Sequence, residues 1–387
     1  MFIFIQKFVT FISCLCCLFH FHRTMSPIEE LPEEILVKIL SFVSFKDRCR
    51  FRQVTRRMWF LSQNKDFWMK IKMSFSVLPG HLMKDMIRFD VKYLSIPCCT
   101  IKSINPGFLR DHQPNLINLN VAGCDGNVEL LADIVAASKS LKSLSLSMSS
   151  NTLVSMCVEK IQKENTLTAI DFGMMGTHHE QNRLDFKSIK IVVERCHELT
   201  DLILHDTHLS FESIDYVCKN LTKKMLRLDF CSEKVMDNHI MALASQCKNL
   251  EYLNLSDTWV TSSIVPEIVQ TWSGTLLDLS LPQQIGLDIG LDEDEPDETD
   301  LETFKTMIGS LQKLKYLHIG TWLGYLTQYE IQGNLYIQRI EKTKHIEKLK
   351  KLFSGLTINL SPFSDDSPAQ TNPSYTFLSM EEIFPEE

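Results

Sequence analysis

The sequence has no excess of positive charge and none of the common catalytic signatures. Lys and Arg number 40 against 48 Asp and Glu in 387 residues, a formal net charge of −8. Without a broad basic field to neutralise phosphates, the composition argues against a nucleic-acid-binding protein. There is also no P-loop, no GxGxxG after a strand, no HExxH and no GxSxG, so no catalytic residue is predicted.

Metal-binding patterns are equally sparse. Cys14 and Cys17 form a CxxC without a second pair, and His178-His179-Glu180 lacks further ligands. His205 to His208 end a strand in a turn, and a solvated turn explains these residues as well as a metal would. The sequence therefore predicts no metal and no cofactor.

Nine of the twelve cysteines lie beyond the first 24 residues, and they suit packing more than disulfide pairing. Their number is odd and they stand at apolar positions. This pattern is typical of reduced thiols used as small hydrophobic side chains. It predicts a cytoplasmic and/or nuclear protein.

One long apolar run occupies residues 2–21. Its flanking positive charge lies mainly after the run and no small-x-small cleavage site precedes Met25, unlike a secretory signal. Residues 1–24 are therefore either an upstream hydrophobic extension, with MSPIEELP as the natural beginning, or a membrane anchor facing the cytosol. Membrane association is expected only if the extension is retained.

The stretch from Ile28 to Ile71 has the most specific residue order and predicts a compact helical module. Pro32 is suited to start a helix because its missing N–H costs nothing there, and Glu33 and Glu34 favour the positive end of the helix dipole. Apolar residues then recur at helical spacing over a stripe wider than one small core needs, so part of it should face another surface. These residues are Ile35, Leu36, Ile39, Leu40 and Val43.

This segment resembles the F-box family, with one departure at Met58, where the family usually carries Trp. The matching residues are Leu31, Pro32, Glu34, Leu36, Ile39, Leu40, Asp47, Val54, Arg56, Leu61 and Trp68. The resemblance implies that the module binds a Skp-type adaptor and, through it, the cullin/RING core of an SCF ubiquitin ligase. The side chains expected to bind the adaptor are Leu31, Pro32, Ile35, Leu36, Ile39, Leu40, Val43, Val54 and Trp68.

Beyond this module the chain repeats itself. Apolar residues stand at the first, fourth and sixth positions of each unit, a strand pattern, and segments with helical periodicity follow. One strand and one helix cannot bury an apolar face alone, so neighbouring units must stack into a solenoid. The predicted strands carry Val91-Leu94-Ile96, Leu116-Leu119-Val121, Leu141-Leu144-Leu146, Leu167-Ile170-Phe172, Leu199-Leu202-Leu204, Met225-Leu228-Phe230, Leu250-Leu253-Leu255, Leu276-Leu279-Leu281 and Leu314-Leu317-Ile319.

The units are similar to cysteine-containing leucine-rich repeats, through Cys196-x-x-Leu199, Cys247-x-x-Leu250 and Cys124. Together the two resemblances identify an F-box/LRR protein. The expected fold is α/β, with a small N-terminal helical F-box followed by a leucine-rich-repeat solenoid whose parallel strands line the concave face and whose helices cover the convex face. The expected parts are a hydrophobic extension (1–24), the F-box (26–72), a connecting segment (73–90), the repeats (91–330), a C-terminal helix with a capping strand at Phe353–Ile358 (331–360) and an acidic disordered tail (361–387).

Side chains between the core positions of each strand should point to the concave face. Tyr and Arg are enriched at binding hot spots, and they cluster toward the C-terminal repeats. The expected substrate-binding residues are Arg227, Asp229, Tyr252, Asn254, Tyr316 and His318. Alternatively, these are ordinary residues of a solvated strand face. The acidic run Asp288–Glu302 is either a solvated loop or attracts a basic substrate segment.

The sequence thus predicts a non-catalytic substrate adaptor of an SCF-type E3 ligase, whose repeats bind an unidentified protein to be ubiquitinated. One alternative is a leucine-rich-repeat scaffold that binds the adaptor without delivering a substrate. Another is a membrane-tethered form of either.

Overall fold

The computed structural model describes residues 31–41, 43, 45–65, 68–102, 108–173, 183–282, 284–285, 298–319 and 357–358. Three short helices come first: α1 (Glu33–Ser41), α2 (Phe45–Phe51) and α3 (Arg56–Leu61). The carbonyl of Pro32 accepts from the N–H of Leu36 at 3.1 Å, so α1 begins where the sequence predicts. The Thr55 hydroxyl caps α3 by accepting from the N–H of Met58 at 3.2 Å.

Strands and helices then alternate along the chain. They are β1 (Lys70–Lys72), β2 (Val77–Leu78), α4 (Gly80–Arg88), β3 (Tyr93–Ser95), β4 (Thr100–Ile101), α5 (Phe108–Asp111), β5 (Asn118–Asn120), β6 (Asp125–Gly126), α6 (Val128–Ala137), β7 (Ser143–Ser145), α7 (Asn151–Lys160), β8 (Ala169–Asp171), α8 (Phe186–Arg195), β9 (Asp201–Ile203), α9 (Phe211–Asn220), β10 (Arg227–Asp229), α10 (Asp237–Gln246), β11 (Tyr252–Asn254), a 3₁₀ turn (Ser262–Ile264), α11 (Val265–Trp272), β12 (Asp278–Leu281), α12 (Glu298–Gly309), β13 (Tyr316–Ile319) and β14 (Thr357–Ile358).

Eleven of these strands form one parallel sheet in the order β1-β3-β5-β7-β8-β9-β10-β11-β12-β13-β14, and β2-β4-β6 form a small second sheet. Fourth-position residues lie in register across the large sheet, as where Leu228 pairs with Leu202 on one side and Leu253 on the other. All nine predicted strands are present, and the predicted leucine-rich-repeat architecture is confirmed.

The core runs continuously through the repeats. First- and fourth-position side chains of all nine predicted strands are buried, together with the inner faces of the helices. Burying such a side chain contributes about 1.5–3 kcal/mol relative to leaving it exposed. The same core includes Leu40 and Trp68 of the helical module, so the module and the solenoid pack as one body.

The structure differs from the predicted boundaries at the junction. β1, at the end of the segment predicted as F-box, already pairs in parallel with β3. The predicted connecting segment 73–90 contains β2 and α4, and β2 pairs with β4 in the small sheet. The first repeat-like unit therefore begins at Lys70. The apolar spacing of the repeats runs through it at Trp68, Ile71 and Met73, but Trp68 and Ile71 were assigned to the helical module.

At the other end, β14 (Thr357–Ile358) pairs in parallel with β13, within the segment predicted to form a capping strand. The predicted helix before it, residues 1–24, the tail 361–387 and His178–Glu180 lie outside the described residues, as does the acidic run before Glu298, where α12 begins. No helix in the described part of the chain combines the length and hydropathy that crossing a membrane requires.

Many of the repeat strands end in the same kind of turn. Six residues at the eighth repeat position have φ between 53° and 62°, in the left-handed region. The turn redirects the chain from the sheet toward the following helix, and it places the tenth position of each unit on the edge of the solenoid. These residues are Cys98, Gly123, Met148, Asp206, Ser232 and Asp257.

Candidate functional site

The helical module has its own small core. Leu36, Met58 and Leu61 are 0%, 3% and 5% exposed and pack together, with Leu31 and Val37 against them. Met58, the departure from the family pattern, therefore fills the interior. Trp59 is turned outward and is 46% exposed.

Trp68 joins this module to the solenoid. Its indole N–H donates to the carbonyl of Ser62 at 2.8 Å, and its ring lies edge-on to Phe45 at 5.5 Å and stacks on Phe89 at 4.5 Å. Since Phe89 follows α4, the stack crosses from the module to the first repeat-like unit. Aromatic pairs of this geometry contribute about 0.5–1.5 kcal/mol beyond area burial.

The module presents four large apolar side chains to solvent. Ile35, Val54, Trp59 and Phe60 are 45%, 48%, 46% and 67% exposed, and the two aromatic rings meet edge to face at 5.2 Å. We call these four residues the module face. Trp59 and Phe60 were missed by the sequence reasoning; the helical phase that buries Met58 and Leu61 is the signal that turns them outward.

A surface groove of about 460 Å³ adjoins the module face. It lies between the first turn of α1 and the end of α3, so its rim is acidic and its floor apolar. The Arg57 guanidinium on α3 donates to the carbonyl of Leu31, just before α1, at 2.6 Å, and so holds the two helices together beside the groove. The lining residues are Glu33, Glu34, Val37, Phe60, Leu61 and Asn64.

The nine residues predicted to bind the adaptor separate into two groups. Pro32, Ile35 and Val54 are exposed, and Leu31 and Ile39 are half-buried, so these five can contact a partner. The other four lie in the core and support the module from within. They are Leu36, Leu40, Val43 and Trp68.

The strands of the large sheet carry a row of polar side chains at the fifth repeat position, and this row is buried where solvent exposure was expected. Asn120, Asp171, Asp229 and Asn254 are 0–3% exposed. Each accepts a hydrogen bond from the backbone N–H two residues later, at 2.8–3.0 Å. These side chains therefore close the turn at the strand end, a role typical of Asn and Asp.

The residues predicted to bind a substrate lie in the neighbouring strands β10 and β11 and in β13, which β12 separates from β11. Tyr252 is 4% exposed and its hydroxyl donates to Asp229 at 3.5 Å, while the Arg227 guanidinium lies 3.7 Å from Asp201. Burial raises the pKa of Asp229, and the nearby His205 opposes the shift. Tyr316 is half-buried in β13, the strand that also contains His318. Substrate contact at these residues stays a prediction, and for the buried ones it requires side-chain rearrangement.

The imidazole of His205 occupies the space that a side chain at position 173 would fill. A Cβ at Gly173 would lie 2.3 Å from Cε1 of the imidazole, which is buried and stands 3.9 Å from the Asp229 carboxylate. Burial raises the pKa of Asp171 in the neighbouring strand as well, again opposed by His205. Among the described residues, no group of three or more His, Cys, Asp or Glu is placed to hold a metal ion.

Gly173→Ala is expected to destabilise the protein by about 1–3 kcal/mol because the new methyl group must displace a packed imidazole. The measurement is the free energy of unfolding in urea. Gly274→Ala is the matched control, since nothing lies within 4 Å of its Cβ position. Adding His205→Ala to Gly173→Ala should recover part of the loss, and an equal effect of the two glycine substitutions would contradict the packing account.

Glu233 occupies the ninth repeat position, where five other units carry Cys, Ser or Thr. It is 1% exposed, and its carboxylate accepts from the N–H and hydroxyl of Thr207 at 2.7 and 2.9 Å and from the N–H of Leu209 at 2.8 Å. Burial raises the pKa of Glu233 to about 7, against the opposing effect of these hydrogen bonds. The residue links two successive repeats, and sequence reasoning missed it because a lone Glu usually lies at the surface.

Comparison with known proteins gives one family match. The model of the F-box domain matches residues 28–70. No curated protein matches the chain. Among solved structures, the chain is similar to the leucine-rich repeat-containing protein LegL7 from Legionella pneumophila, with 12% identity, 74% of this chain and 89% of that chain covered and a TM-score of 0.37. It is also similar to a chain of the TLR13–ssRNA13 complex, with 16% identity, 65% and 45% covered and a TM-score of 0.32.

Proposed function

We propose that this chain, an F-box domain joined to a leucine-rich-repeat solenoid, is the non-catalytic substrate-recognition subunit of an SCF-type E3 ubiquitin ligase in the cytoplasm and/or nucleus. The F-box binds a Skp-type adaptor and through it the cullin/RING core, and the repeats bind the protein to be ubiquitinated. The observation that carries the proposal is the F-box match at residues 28–70, on a module whose large apolar side chains are exposed.

The module face supports adaptor binding. A partner that covers the exposed Trp59 and Phe60 would remove a large apolar area from water, and aromatic residues dominate the binding energy of many interfaces. Leu31 and Pro32, at the start of α1, border the same surface and stay predicted contacts.

The shared core supports the adaptor role in a second way. Ubiquitin transfer by a scaffolded ligase requires the substrate to be held at a fixed distance from the catalytic subunit. Leu40, Val43 and Trp68 belong to the same continuous core as the repeats, so the surface that binds a substrate cannot move freely relative to the surface that binds the adaptor.

The proposal is tested by capture of the full chain on an immobilised Skp-type adaptor with its cullin. Trp59→Ala/Phe60→Ala is expected to weaken capture about thirty-fold, corresponding to about 2 kcal/mol at such a hot spot. Met241→Ala is the matched control, because Met241 is an exposed large apolar residue (58%) on α10, outside the module.

Two outcomes would contradict the proposal. Absence of capture by the wild-type chain would remove the ligase role and favour the leucine-rich-repeat scaffold. Capture without transfer of ubiquitin to any protein bound by the repeats, in a reconstituted ligase, would favour a non-degradative adaptor-binding protein.

A further inference from the structure

An exposed aromatic pair lies on the edge of the solenoid, well away from the module face. Trp259 and Phe211 are 55% and 45% exposed, and their rings meet at 5.8 Å with an interplanar angle of 60°. The Lys234 ammonium lies 5.9 Å from the centroid of each ring. Three successive repeats contribute these three residues, so stacking of the repeats alone brings them together.

The backbone explains why the pair is exposed. Lys234 and Trp259 occupy the tenth position of their units, two residues after the left-handed residues Ser232 and Asp257. The preceding ninth-position side chains, Glu233 and Thr258, turn inward and are buried. The tenth position must therefore point outward, and a Trp there is not needed for the core.

The charge around the pair is mainly negative. The three edge segments 206–212, 232–238 and 257–263 contain the carboxylates Asp206, Glu212, Asp237 and Asp257, besides the buried Glu233, and a single lysine. Asp237 is fixed in this position because Thr261 and Ser263 donate to it at 2.7–2.8 Å. Lys234 shows that the rings already attract one cation.

We propose that this edge, formed by Phe211, Lys234 and Trp259 within the four carboxylates, binds a basic segment of a partner protein, with an Arg or Lys of that segment packed against the open face of Trp259. Arg suits the site best, since its planar guanidinium stacks on an aromatic ring while its donors reach carboxylates. The inference deepens the proposed function, because it names the surface of the repeats and the chemistry of the segment that they bind.

The chain contains its own matched control for this chemistry. Trp59 and Phe60 form a similar exposed edge-to-face pair at 5.2 Å, but there Arg56 and Arg57 balance the charge of Glu33 and Glu34, which line the adjoining groove. A basic peptide should therefore bind more tightly at Trp259 than at Trp59, although both tryptophans are about half exposed.

The test labels the full chain with fluorotryptophan and follows the ¹⁹F resonances of Trp259 and Trp59, assigned by Trp→Phe substitution. A short synthetic peptide that alternates Arg and Leu is titrated against one that alternates Glu and Leu. We expect the Arg peptide to shift the Trp259 resonance at concentrations about tenfold lower than the Glu peptide, and added salt to weaken binding. The variant Asp206→Asn/Glu212→Gln/Asp257→Asn should lose this preference; Asn is well suited to the left-handed positions.

Each other outcome overturns the inference. These outcomes are equal shifts with both peptides, a stronger effect of the Glu peptide, or an equal response at Trp59. A Trp259 shift that depends on protein concentration without peptide would also overturn it, because it would indicate pairing of two copies.

Adaptor capture is measured on the same preparation. Intact capture without the peptide response removes this inference alone, and the reverse result removes the ligase role alone.

Discussion

Replacing Trp68 with alanine is expected to lower the free energy of unfolding by about 3–5 kcal/mol. The substitution leaves a large cavity between Phe45 and Phe89 and removes the donor to the Ser62 carbonyl. Because Trp68 packs the helical module against the solenoid, the module should also unfold separately from the repeats. Urea denaturation followed by circular dichroism measures both effects.

Trp59→Ala is the matched control for that experiment. Trp59 is 46% exposed, while Trp68 is 3% exposed, so the control should change stability little and yet weaken adaptor capture. Similar losses of stability in the two variants would contradict the assignment of Trp68 to the core and Trp59 to the binding surface.

The stability of the wild-type protein is expected to fall as pH rises from about 5 to 8, with Glu233 contributing on the order of 3 kcal/mol. The folded-state pKa of Glu233, about 7, lies above the ordinary value of 4.5 because of burial. The contribution is therefore fully present below about pH 4.5, where both states are protonated. It is lost as the pH rises through 7, where the folded protein must ionise a buried carboxyl group.

Glu233→Gln isolates this effect because glutamine does not titrate. At pH 5 the variant should be no more stable than the wild type, since its amide has one acceptor oxygen, whereas the carboxyl group accepts from Thr207 and Leu209 through separate oxygens. At pH 8 it should be the more stable protein. Glu129→Gln, at an exposed position in the first turn of α6, should leave the pH dependence unchanged. Parallel stability curves for the wild type and Glu233→Gln would show that Glu233 is not the titrating group.

The repeat strands could be predicted from sequence because one spacing decides them. The fourth and sixth positions are two residues apart, which is the strand period, and the structure has strands at all nine places. β1 was not predicted although Trp68, Ile71 and Met73 have the same spacing, because Trp68 and Ile71 also belong to the helical module that precedes the repeats. Its pairing with β3 assigns it to the sheet.

The surfaces were harder to predict for physical reasons. Met58 and Trp59 are both large and apolar, and only the packing of α3 on Leu36 decides which of them lies inside. On the repeats, Asp229 and Asn254 are residue types typical of a solvent-exposed strand face. In the structure they are buried by the neighbouring strands and by the turn that each of them closes. The Phe211–Trp259 pair joins residues that are far apart in sequence, so no local pattern reveals it.

The pairing of β1 with β3 also sets the distance between the helical module and each later strand of the sheet. Because the module's last residues form the first strand of the sheet, each later strand lies a fixed number of spacings from the F-box. β11, which leads into Trp259, is seven spacings from β1, roughly 34 Å along the sheet at about 4.8 Å per strand. In the proposed ligase role, the number of repeats between β1 and the binding site sets how far a bound protein is held from the adaptor, and gaining or losing one repeat between them would change that distance along the sheet by a single strand spacing.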